Sequence, residues 1–260
     1  MKLVLSEEGL VALHATLKRQ PLLAFDFDGT LAPIVARPQD AAVSPAVASQ
    51  LQRLRDRFPI AVISGRRVAD LHNRLGFDPH FVVGNHGAED PSLPAQDDLA
   101  LALDPLRQRL QHSAHTLLQA GVLVEDKHYS IALHYRLATD QKQALDMIQE
   151  VLAPLVQVPA LTEESLHIFG GKKVVNAVAA RAPNKADAIK RLTRQIQAKA
   201  LVFVGDDIND EPVFERNEPD WLTVKVGLDE APTKALFLLH SVHDMGRLLN
   251  AIQAFTTLRI

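Results

Sequence analysis

The sequence predicts an α/β protein with a doubly wound parallel-sheet core and an inserted α+β domain. Four apolar runs each end in a polar cluster, and helix-like segments separate the first three of them. This repeat is typical of a parallel sheet with right-handed crossovers. The repeat stops at the polar, proline-containing stretch 90–94 and resumes after residue 178. We therefore expect a core made of residues 1–90 and 179–260, and an insert made of residues 91–178.

The composition excludes several classes of protein. The chain has 260 residues, of which 47% are hydrophobic and 23% charged, and its net charge is −3. It has no long basic block, so we expect neither nucleic acid nor an acidic membrane surface as a partner. Cysteine is absent, which excludes thiol catalysis and fits a reducing cytoplasm. No apolar stretch reaches the roughly 20 residues of a membrane span, so we expect a soluble cytoplasmic protein.

In the first core segment, helices are indicated by apolar residues three or four apart, and strands by short continuous apolar runs. Ser6 and Ser44 are typical helix N-caps, and Pro45 suits a first helical position. The predicted elements are, in order, a helix within Val4–Arg19, a strand over Leu22–Asp26, a helix after Ser44, a strand over Pro59–Ile63, a helix carrying Val68, Leu71 and Leu75, and a strand over Phe81–Val83.

The insert has a different pattern, because apolar and polar residues alternate over Tyr129–Arg136 as in a half-exposed sheet. Its predicted elements are a helix over Leu101–Ala120, two strands within Val122–Tyr135, a helix over Thr139–Leu152, and short strands over Val156–Val158, Ser165–Phe169 and Lys173–Val178. The core then resumes with a helix over Ala186–Ile196, strands over Leu201–Val204 and Leu222–Val226, and a closing helix over Val242–Phe255.

The candidate functional residues follow the carboxyl ends of the four core strands. The four clusters are Asp26 with Asp28, Ser64 with Arg66, Asn85 with His86 and Glu89, and Asp206 with Asp207 and Asp210. Because the carboxyl ends of parallel strands share one edge, we expect these side chains to converge. Many carboxylates with few cations require a divalent cation, and oxygen ligands favour magnesium over zinc. Lys185 begins the helix that leads to Asp206, so it could reach this edge.

These residue types together suit phosphoryl transfer, in which positioning and charge neutralisation are most of the task. An aspartate can accept the phosphoryl group and form an aspartyl-phosphate. A signalling receiver module also accepts phosphate on an aspartate at a parallel-sheet edge. Receivers are about half this length, and they lack both the insert and a proton-shuttling residue such as Asp28.

The motifs resemble the haloacid dehalogenase (HAD) superfamily of phosphatases. The resemblance is carried by Asp26–Thr30, Ile63–Arg66, Lys185 and Gly205–Asp210. Within that superfamily the chain is similar to trehalose-6-phosphate phosphatases, on Gly84–Glu89, Ala132–Arg136, Gly171–Val175 and Asp206–Glu211. The resemblance extends from about Leu22 to Val226, and it implies a HAD-like core with a cap domain.

The resemblance implies a role for each core residue. Asp26 would be the nucleophile, and Asp28 would exchange protons with the leaving oxygen and with water. Magnesium would be held by Asp26, Asp206 and the backbone carbonyl of Asp28, with Asp207 and Asp210 supporting it. Ser64 and Lys185 would bind the phosphate oxygens. Arg66, Asn85 and His86 would contact the substrate or orient the loops around it.

In the cap, the expected substrate-binding residues are Glu125, Lys127, His134, Arg136, Lys172 and Asn176. Polar donors on one sheet face suit a sugar with many hydroxyl groups. Asn176 departs from the family pattern Gly-Lys-x-Val-x-Glu, so a neutral amide stands where a carboxylate is usual. Ala186 likewise replaces the usual glycine after the lysine.

The resemblance therefore predicts a magnesium-dependent phosphatase that releases trehalose and inorganic phosphate from trehalose 6-phosphate, in the same pathway as a trehalose-phosphate synthase. One alternative is a phosphatase for another sugar phosphate, of the sucrose-phosphate or glucosylglycerol-phosphate type. Another alternative is a catalytically silent partner of a sugar-phosphate synthase, against which the intact motifs argue.

Overall fold

The computed structural model describes residues 2–156, 165–216, 218–228 and 232–257. The chain divides into two compact units. Unit 1 consists of Met1–Pro91 with Pro183–Ile260, and unit 2 consists of Ser92–Ala182. None of the helices in the described ranges combines the length and the hydropathy of a membrane span.

The strands of the described residues are mostly short. In chain order they are β1 (Lys2–Leu3), β2 (Leu22–Phe25), β3 (Ile60–Ile63), β4 (Phe81–Val83), β5 (Leu123–Asp126), β6 (Ser130–His134), β7 (Leu166–Gly171), β8 (Val174–Ala179), β9 (Leu201–Gly205), β10 (Trp221–Val226) and β11 (Phe237–Leu239).

The α-helices begin where the sequence supplies caps. Ser6 and Ser44 accept the backbone N–H groups of Gly9 and Val47, as expected of N-caps. In chain order the helices are α1 (Glu7–Leu17), α2 (Pro45–Arg55), α3 (Val68–Leu75), α4 (Asp97–Leu101), α5 (Asp104–His112), α6 (Ala114–Gln119), α7 (Gln141–Val156), α8 (Lys185–Gln195), α9 (Glu211–Phe214) and α10 (Met245–Thr257).

Seven of these strands form the parallel sheet of unit 1, in the order β1-β11-β10-β9-β2-β3-β4. Strand β2 is the fifth strand in this order and lies between β9 and β3. From β2 the chain adds β3 and then β4 on one side. After unit 2 it adds β9 and then β10 on the other side of β2. The doubly wound topology predicted from the sequence is therefore confirmed, and β2 lies at the point where the winding reverses.

Alternate residues of β2 point to opposite faces of this sheet, and both faces are covered. Leu23 and Phe25 belong to a buried cluster with residues of α1, α2, α3 and α10. Leu22 and Ala24 belong to a second buried cluster with residues of α8 and α9. All four residues are completely buried, which explains why the strand reads as a continuous apolar run.

Unit 2 is an antiparallel sheet with helices on one face. The strand order is β5-β6-β8-β7. Ile131 and Leu133 of β6 and Ala177 of β8 pack against α5, α6 and α7 in a buried cluster. The predicted α+β character of the insert is therefore confirmed.

Three details of the predicted elements were wrong. The helix expected over Leu101–Ala120 is divided into α4, α5 and α6. Pro105 stands in the first turn of α5, and proline in a helix interior would remove one hydrogen bond and clash with the preceding turn. Val156 is the last residue of α7 rather than the start of a strand, and residues 157 and 158 lie outside the described residues. The short strands β1 and β11 were not anticipated.

Candidate active site

The candidate site of unit 1 is at the carboxyl edge of its sheet, where β2, β3 and β9 end together. Phe25, the last residue of β2, pairs in register with Val62 of β3 and Val204 of β9. The next residue, Asp26, donates its backbone N–H to the Val204 carbonyl at 2.9 Å. The sheet register thus places the polar residues that follow each strand at the same level.

A buried ion group links Asp26, Lys185 and Asp210. The Lys185 ammonium lies 2.9 Å from Asp26 Oδ1 and 2.7 Å from Asp210 Oδ1. All three side chains are at most 7% exposed. Burial, reinforced by the neighbouring carboxylates of Asp210 and Asp206, raises the pKa of Asp26, and Lys185 opposes this rise. Burial alone would lower the pKa of Lys185, but Asp210 and Asp26 outweigh it and raise that pKa.

Lys185 is held in place by the start of α8. Asn184 caps this helix and forms a reciprocal capping box with Asp187. A lysine in the first turn opposes the helix dipole, so its position requires compensating negative charge. Asp26 and Asp210 supply that charge, which explains why a cation stands at this helix end.

Asp210 also organises the backbone after β9. Its Oδ2 atom accepts the N–H of Asp206 at 2.8 Å and the N–H of Asp207 at 3.0 Å. A short 3-10 turn over Ile208–Asp210 brings the carboxylate back to these donors. Asp210 and Asp206 are both buried, so the bond between them is shielded from water.

Three carboxylates of this edge could hold a metal ion. Asp26, Asp206 and Asp210 are all buried, and each offers an oxygen within 4.8 Å of the others. Against one ammonium group, Lys185, they leave two negative charges unbalanced among these four groups. An all-oxygen donor set with this charge suits a hard divalent cation such as Mg²⁺. The side chain of Asp207 lies outside this group of three, and its Oδ1 accepts the Ile208 N–H at 2.8 Å.

Gly29 permits the close approach of the β2 loop to Asp206. Its φ is +76°, and a Cβ atom built there would overlap the Asp206 carboxylate. Only glycine meets both demands without strain. Gly29, which follows the two aspartates, is therefore required for the geometry of the site.

Asp28 is paired with Arg66 in a bidentate ion pair. Arg66 donates from Nε to Asp28 Oδ2 and from Nη2 to Oδ1, both at 2.8 Å. The same guanidinium donates to Asp70 Oδ2 at 2.8 Å and to the Pro38 carbonyl at 2.8 Å. Burial alone would lower the pKa of Arg66, but the bonds to Asp28 and Asp70 outweigh it and raise that pKa. Arg66 thus fixes Asp28 and the loop at Pro38, and its contact with a substrate stays a prediction.

Ser64, Asn85 and His86 lie in two adjoining loops after β3 and β4. Ser64 is buried, and its Oγ accepts the Arg66 N–H at 3.2 Å. The backbone N–H of His86 donates to the Ser64 carbonyl at 2.9 Å. Asn85 and His86 both have positive φ, +49° and +61°, a conformation that costs non-glycine residues energy. Such strain is concentrated at functional sites, which supports the prediction that this loop serves the chemistry.

Two residues of unit 1 have structural roles that the sequence reasoning missed or left open. Asp70, four residues after Arg66 on α3, carries part of the Arg66 network, and bonds from Arg74 and Arg66 outweigh burial to lower its pKa. Glu89 Oε2 accepts from Asn85 Nδ2 at 2.7 Å and from the Val68 N–H at 3.1 Å. The i, i+4 spacing of Arg66 and Asp70 was the available signal for the first contact.

Unit 2 brings together three of its predicted residues. His134 Nε2 lies 2.9 Å from Glu125 Oε2, and Lys127 Nζ lies 3.6 Å from the same oxygen. Asn176 is opposite Ala132, which is in turn opposite Glu125, so Asn176 and Glu125 share one sheet face. Arg136 donates instead to the backbone carbonyl of Lys172 at 2.9 Å. Glu125, Lys127 and His134 therefore form one cluster. Arg136 makes a separate contact at the turn before β8.

Comparison with known proteins gives consistent results. Residues 24–237 match the family model described as trehalose-phosphatase. A trehalose-phosphate phosphatase of Mycobacterium tuberculosis is 34% identical over 250 residues, which are 90% of this chain and 60% of that protein. An uncharacterized glycosyl hydrolase of the same species is 31% identical over 209 residues, 76% of this chain but 15% of that protein. The chain thus corresponds to only part of each of these relatives.

Among solved structures, the C-terminal domain of trehalose-6-phosphate phosphatase from C. albicans is similar in fold. The TM-score is 0.78 at 22% sequence identity, and the match covers 94% of this chain and 96% of that domain. The fold of the two units is therefore one already known among phosphatases.

Proposed function

The chain belongs to the trehalose-phosphatase family, and from this membership we propose that it hydrolyses trehalose 6-phosphate to trehalose and inorganic phosphate. The observation that carries the proposal is the buried group of Asp26, Lys185, Asp206 and Asp210 at the carboxyl edge of the sheet. The family match supports this substrate over sucrose phosphate or glucosylglycerol phosphate. The proposed setting is the cytoplasm, with a trehalose-phosphate synthase as the source of the substrate.

Magnesium is the proposed cofactor, held by Asp26, Asp206 and the Asp28 carbonyl, with Asp210 and Asp207 as supporting residues. Bound Mg²⁺ would neutralise the clustered carboxylates and the charge on the phosphate oxygens. Support comes from the three buried carboxylates within 4.8 Å of one another and their unbalanced negative charge.

In the proposed first step, a carboxylate oxygen of Asp26 attacks phosphorus, and the bond between phosphorus and the sugar oxygen breaks. Lys185 holds Asp26 through Oδ1 at 2.9 Å, and with Ser64 it would bind the phosphate oxygens. Asp28 gives its proton to the leaving sugar oxygen. This donation requires the Asp28–Arg66 pair to open, because both Asp28 oxygens accept hydrogen bonds from the guanidinium in the pair.

In the proposed second step, a water oxygen attacks the same phosphorus and displaces the Asp26 carboxylate. Asp28, now ionised, takes a proton from this water. Asp28 then carries the proton needed for the next turnover, and its bidentate pair with Arg66 re-forms only after that proton has left. The two steps together consume one water and regenerate both aspartates.

The test of the proposed function is phosphate release with Mg²⁺ from trehalose 6-phosphate, sucrose 6-phosphate, glucose 6-phosphate and an aryl phosphate. We expect kcat/KM for trehalose 6-phosphate to be at least about 10²-fold higher than for the others, or about 2.7 kcal/mol at the transition state. We expect Asp26→Asn to abolish turnover. A phosphoenzyme trapped on another residue, or equal kcat/KM for all four substrates, would contradict the proposal.

For unit 2 we propose that Glu125, Lys127 and Asn176 bind sugar hydroxyl groups, with His134, Arg136 and Lys172 around them. Lys127 is 7% exposed, and its ammonium lies 3.6 Å from Glu125, so it has a fixed position. We expect Lys127→Ala to raise KM for trehalose 6-phosphate far more than KM for a small aryl phosphate. Equal effects on both substrates would remove Lys127 from the sugar site.

A further inference from the structure

The sheet of unit 2 packs one face against α5, α6 and α7, and its opposite face carries a row of aligned side chains. Pairs directly opposite each other in an antiparallel sheet point to the same side. The register pairs Glu125 with Ala132, Ala132 with Asn176, and Asn176 with Phe169, so these four side chains form one row across β5, β6, β8 and β7. Their sequence neighbours point to the other side, where Ile131 and Ala177 pack in the buried cluster with the helices.

Two aromatic side chains lie at the β7 end of this face. Phe169 ends the row, and His167, two residues earlier, points to the same side of the sheet. Their ring centroids are 5.2 Å apart with an interplanar angle of 31°. Phe169 is half-buried and His167 is exposed, so the pair presents ring surface on the face opposite the helices.

The amide side chain of Asn176 lies beside Phe169 in this row. Asn176 is only 4% exposed, and within the described ranges its side chain makes no hydrogen bond. An amide with no partner in the protein is usually satisfied by water or by a ligand. Its other neighbour in the row is Ala132, whose short side chain separates Asn176 from Glu125.

A sugar ring matches this arrangement chemically. It has C–H bonds on its faces and hydroxyl groups at its edge, so it can lie on an aromatic face while its hydroxyls bond an amide. An amide both donates and accepts, as a hydroxyl group requires. We propose that Phe169, supported by His167, is the surface on which a glucosyl ring of the substrate stacks, beside Asn176. Phe169 is thereby a specificity-determining residue, and this inference rests on the function proposed above.

The test compares Phe169→Leu and Phe169→Ala with Phe169→Tyr. Leucine keeps apolar bulk without an aromatic face, whereas tyrosine keeps the face. We expect Leu and Ala to raise KM for trehalose 6-phosphate about tenfold, the size of one lost aromatic contact, and Tyr to leave it nearly unchanged. The kcat/KM for acetyl phosphate, which has no sugar, stays constant in all three. Leu118→Ala, at a 65% exposed leucine of α6, is the control for removal of a surface apolar group.

A direct readout is the NMR spectrum of trehalose 6-phosphate bound to the inactive Asp26→Asn protein. A ring stacked on Phe169 shifts sugar C–H resonances upfield, and Phe169→Leu in the same background removes the shift. Unchanged KM in the Leu and Ala variants, or equal losses on both substrates in all three variants, would overturn the inference alone. A wild-type protein that cleaves acetyl phosphate but not trehalose 6-phosphate would overturn the proposed substrate and this inference with it.

Discussion

At the scale of a single residue, Asp210 connects Lys185 to the backbone of the loop after β9. One of its oxygens binds Lys185 and the other accepts two backbone N–H groups. An asparagine there would direct its NH₂ group at one of these sets of donors. We expect Asp210→Asn to lower the free energy of unfolding by about 2 kcal/mol in the presence of Mg²⁺, as for a buried donor left unsatisfied, and to reduce kcat. Urea denaturation and phosphate release measure the two effects.

The matched control is Asp207→Asn, three residues earlier in the same turn. The Asp207 carboxylate is not one of the three clustered carboxylates and is proposed only to support the metal, so its neutralisation should cost clearly less stability and activity than that of Asp210. Similar losses in the two variants would mean that the total charge of this loop matters, and not the bonds of Asp210.

At the residue scale, the sequence predicts the position of a functional side chain where spacing along a strand or a known motif determines it. Asp26 and Lys185 come together as the motifs predicted. The pairing of Asp28 with Arg66 could not be deduced, because these residues are 38 positions apart and meet only through the packing of the loops after β2 and β3. Which of the acidic residues after β9 points inward depends on the 3-10 turn at Ile208–Asp210, which no periodicity reveals.

At the scale of elements, the turn after β2 depends on Gly29. We expect Gly29→Ala to abolish phosphatase activity and to weaken Mg²⁺ binding, because the new methyl group would displace the Asp206 carboxylate. Positive φ alone costs alanine about 1 kcal/mol, and the displacement adds to it. Activity assays and Mg²⁺ titration by calorimetry measure these effects.

The variant Gly227→Ala separates the effect of positive φ from the effect of the contact with Asp206. Gly227 has a φ of +101°, but a Cβ atom there would have no atom within 4 Å among the described residues. This variant should lose some stability and keep its activity. If Gly227→Ala also lost activity, backbone strain would explain both results and the close approach to Asp206 would not be needed.

At this scale, the sequence predicts best the strands that consist of continuous apolar residues. Continuous apolar runs gave β2, β3, β4 and β9, because strands covered on both faces have no polar side to interrupt them. The edge strand β1 and its neighbour β11 are two and three residues long, and they pair with each other although they lie at opposite ends of the chain. The break before α5 was signalled by Pro105, whereas the break at Ser113 has no glycine or proline to mark it.

At the scale of the whole molecule, the parallel topology determined most of the candidate site. Once four strands are assigned to one parallel sheet, their carboxyl ends must share an edge, whereas the position of β2 where the winding reverses is known from the strand order of the structure. The placement of the residues of unit 2 that are predicted to bind substrate followed less directly. Alternation along β5 and β6 assigned side chains to faces, but the strand order β5-β6-β8-β7 was needed to bring Asn176 into line with Glu125.

The carboxylate cluster also has a consequence for the stability of unit 1. Without a cation, Asp26, Asp206 and Asp210 repel one another in a buried setting, with only Lys185 as a counter-charge in the group. A cation that binds the folded site but not the unfolded chain must raise the stability of unit 1. The increment is about 2.7 kcal/mol when the free cation is at 100 times its dissociation constant.

We therefore expect saturating MgCl₂ to raise the melting temperature of unit 1 by roughly 5–10 °C, as calorimetry would record. NaCl at equal ionic strength should not reproduce the increase, because screening does not supply a ligated cation. If the two units melt separately, only the transition of unit 1 should move, since the three carboxylates all belong to it. Asp206→Asn should abolish the shift, whereas Asp146→Asn, at an exposed carboxylate of α7, should retain it. A shift that survives in Asp206→Asn would place the cation elsewhere and contradict the assignment of these three carboxylates to the metal.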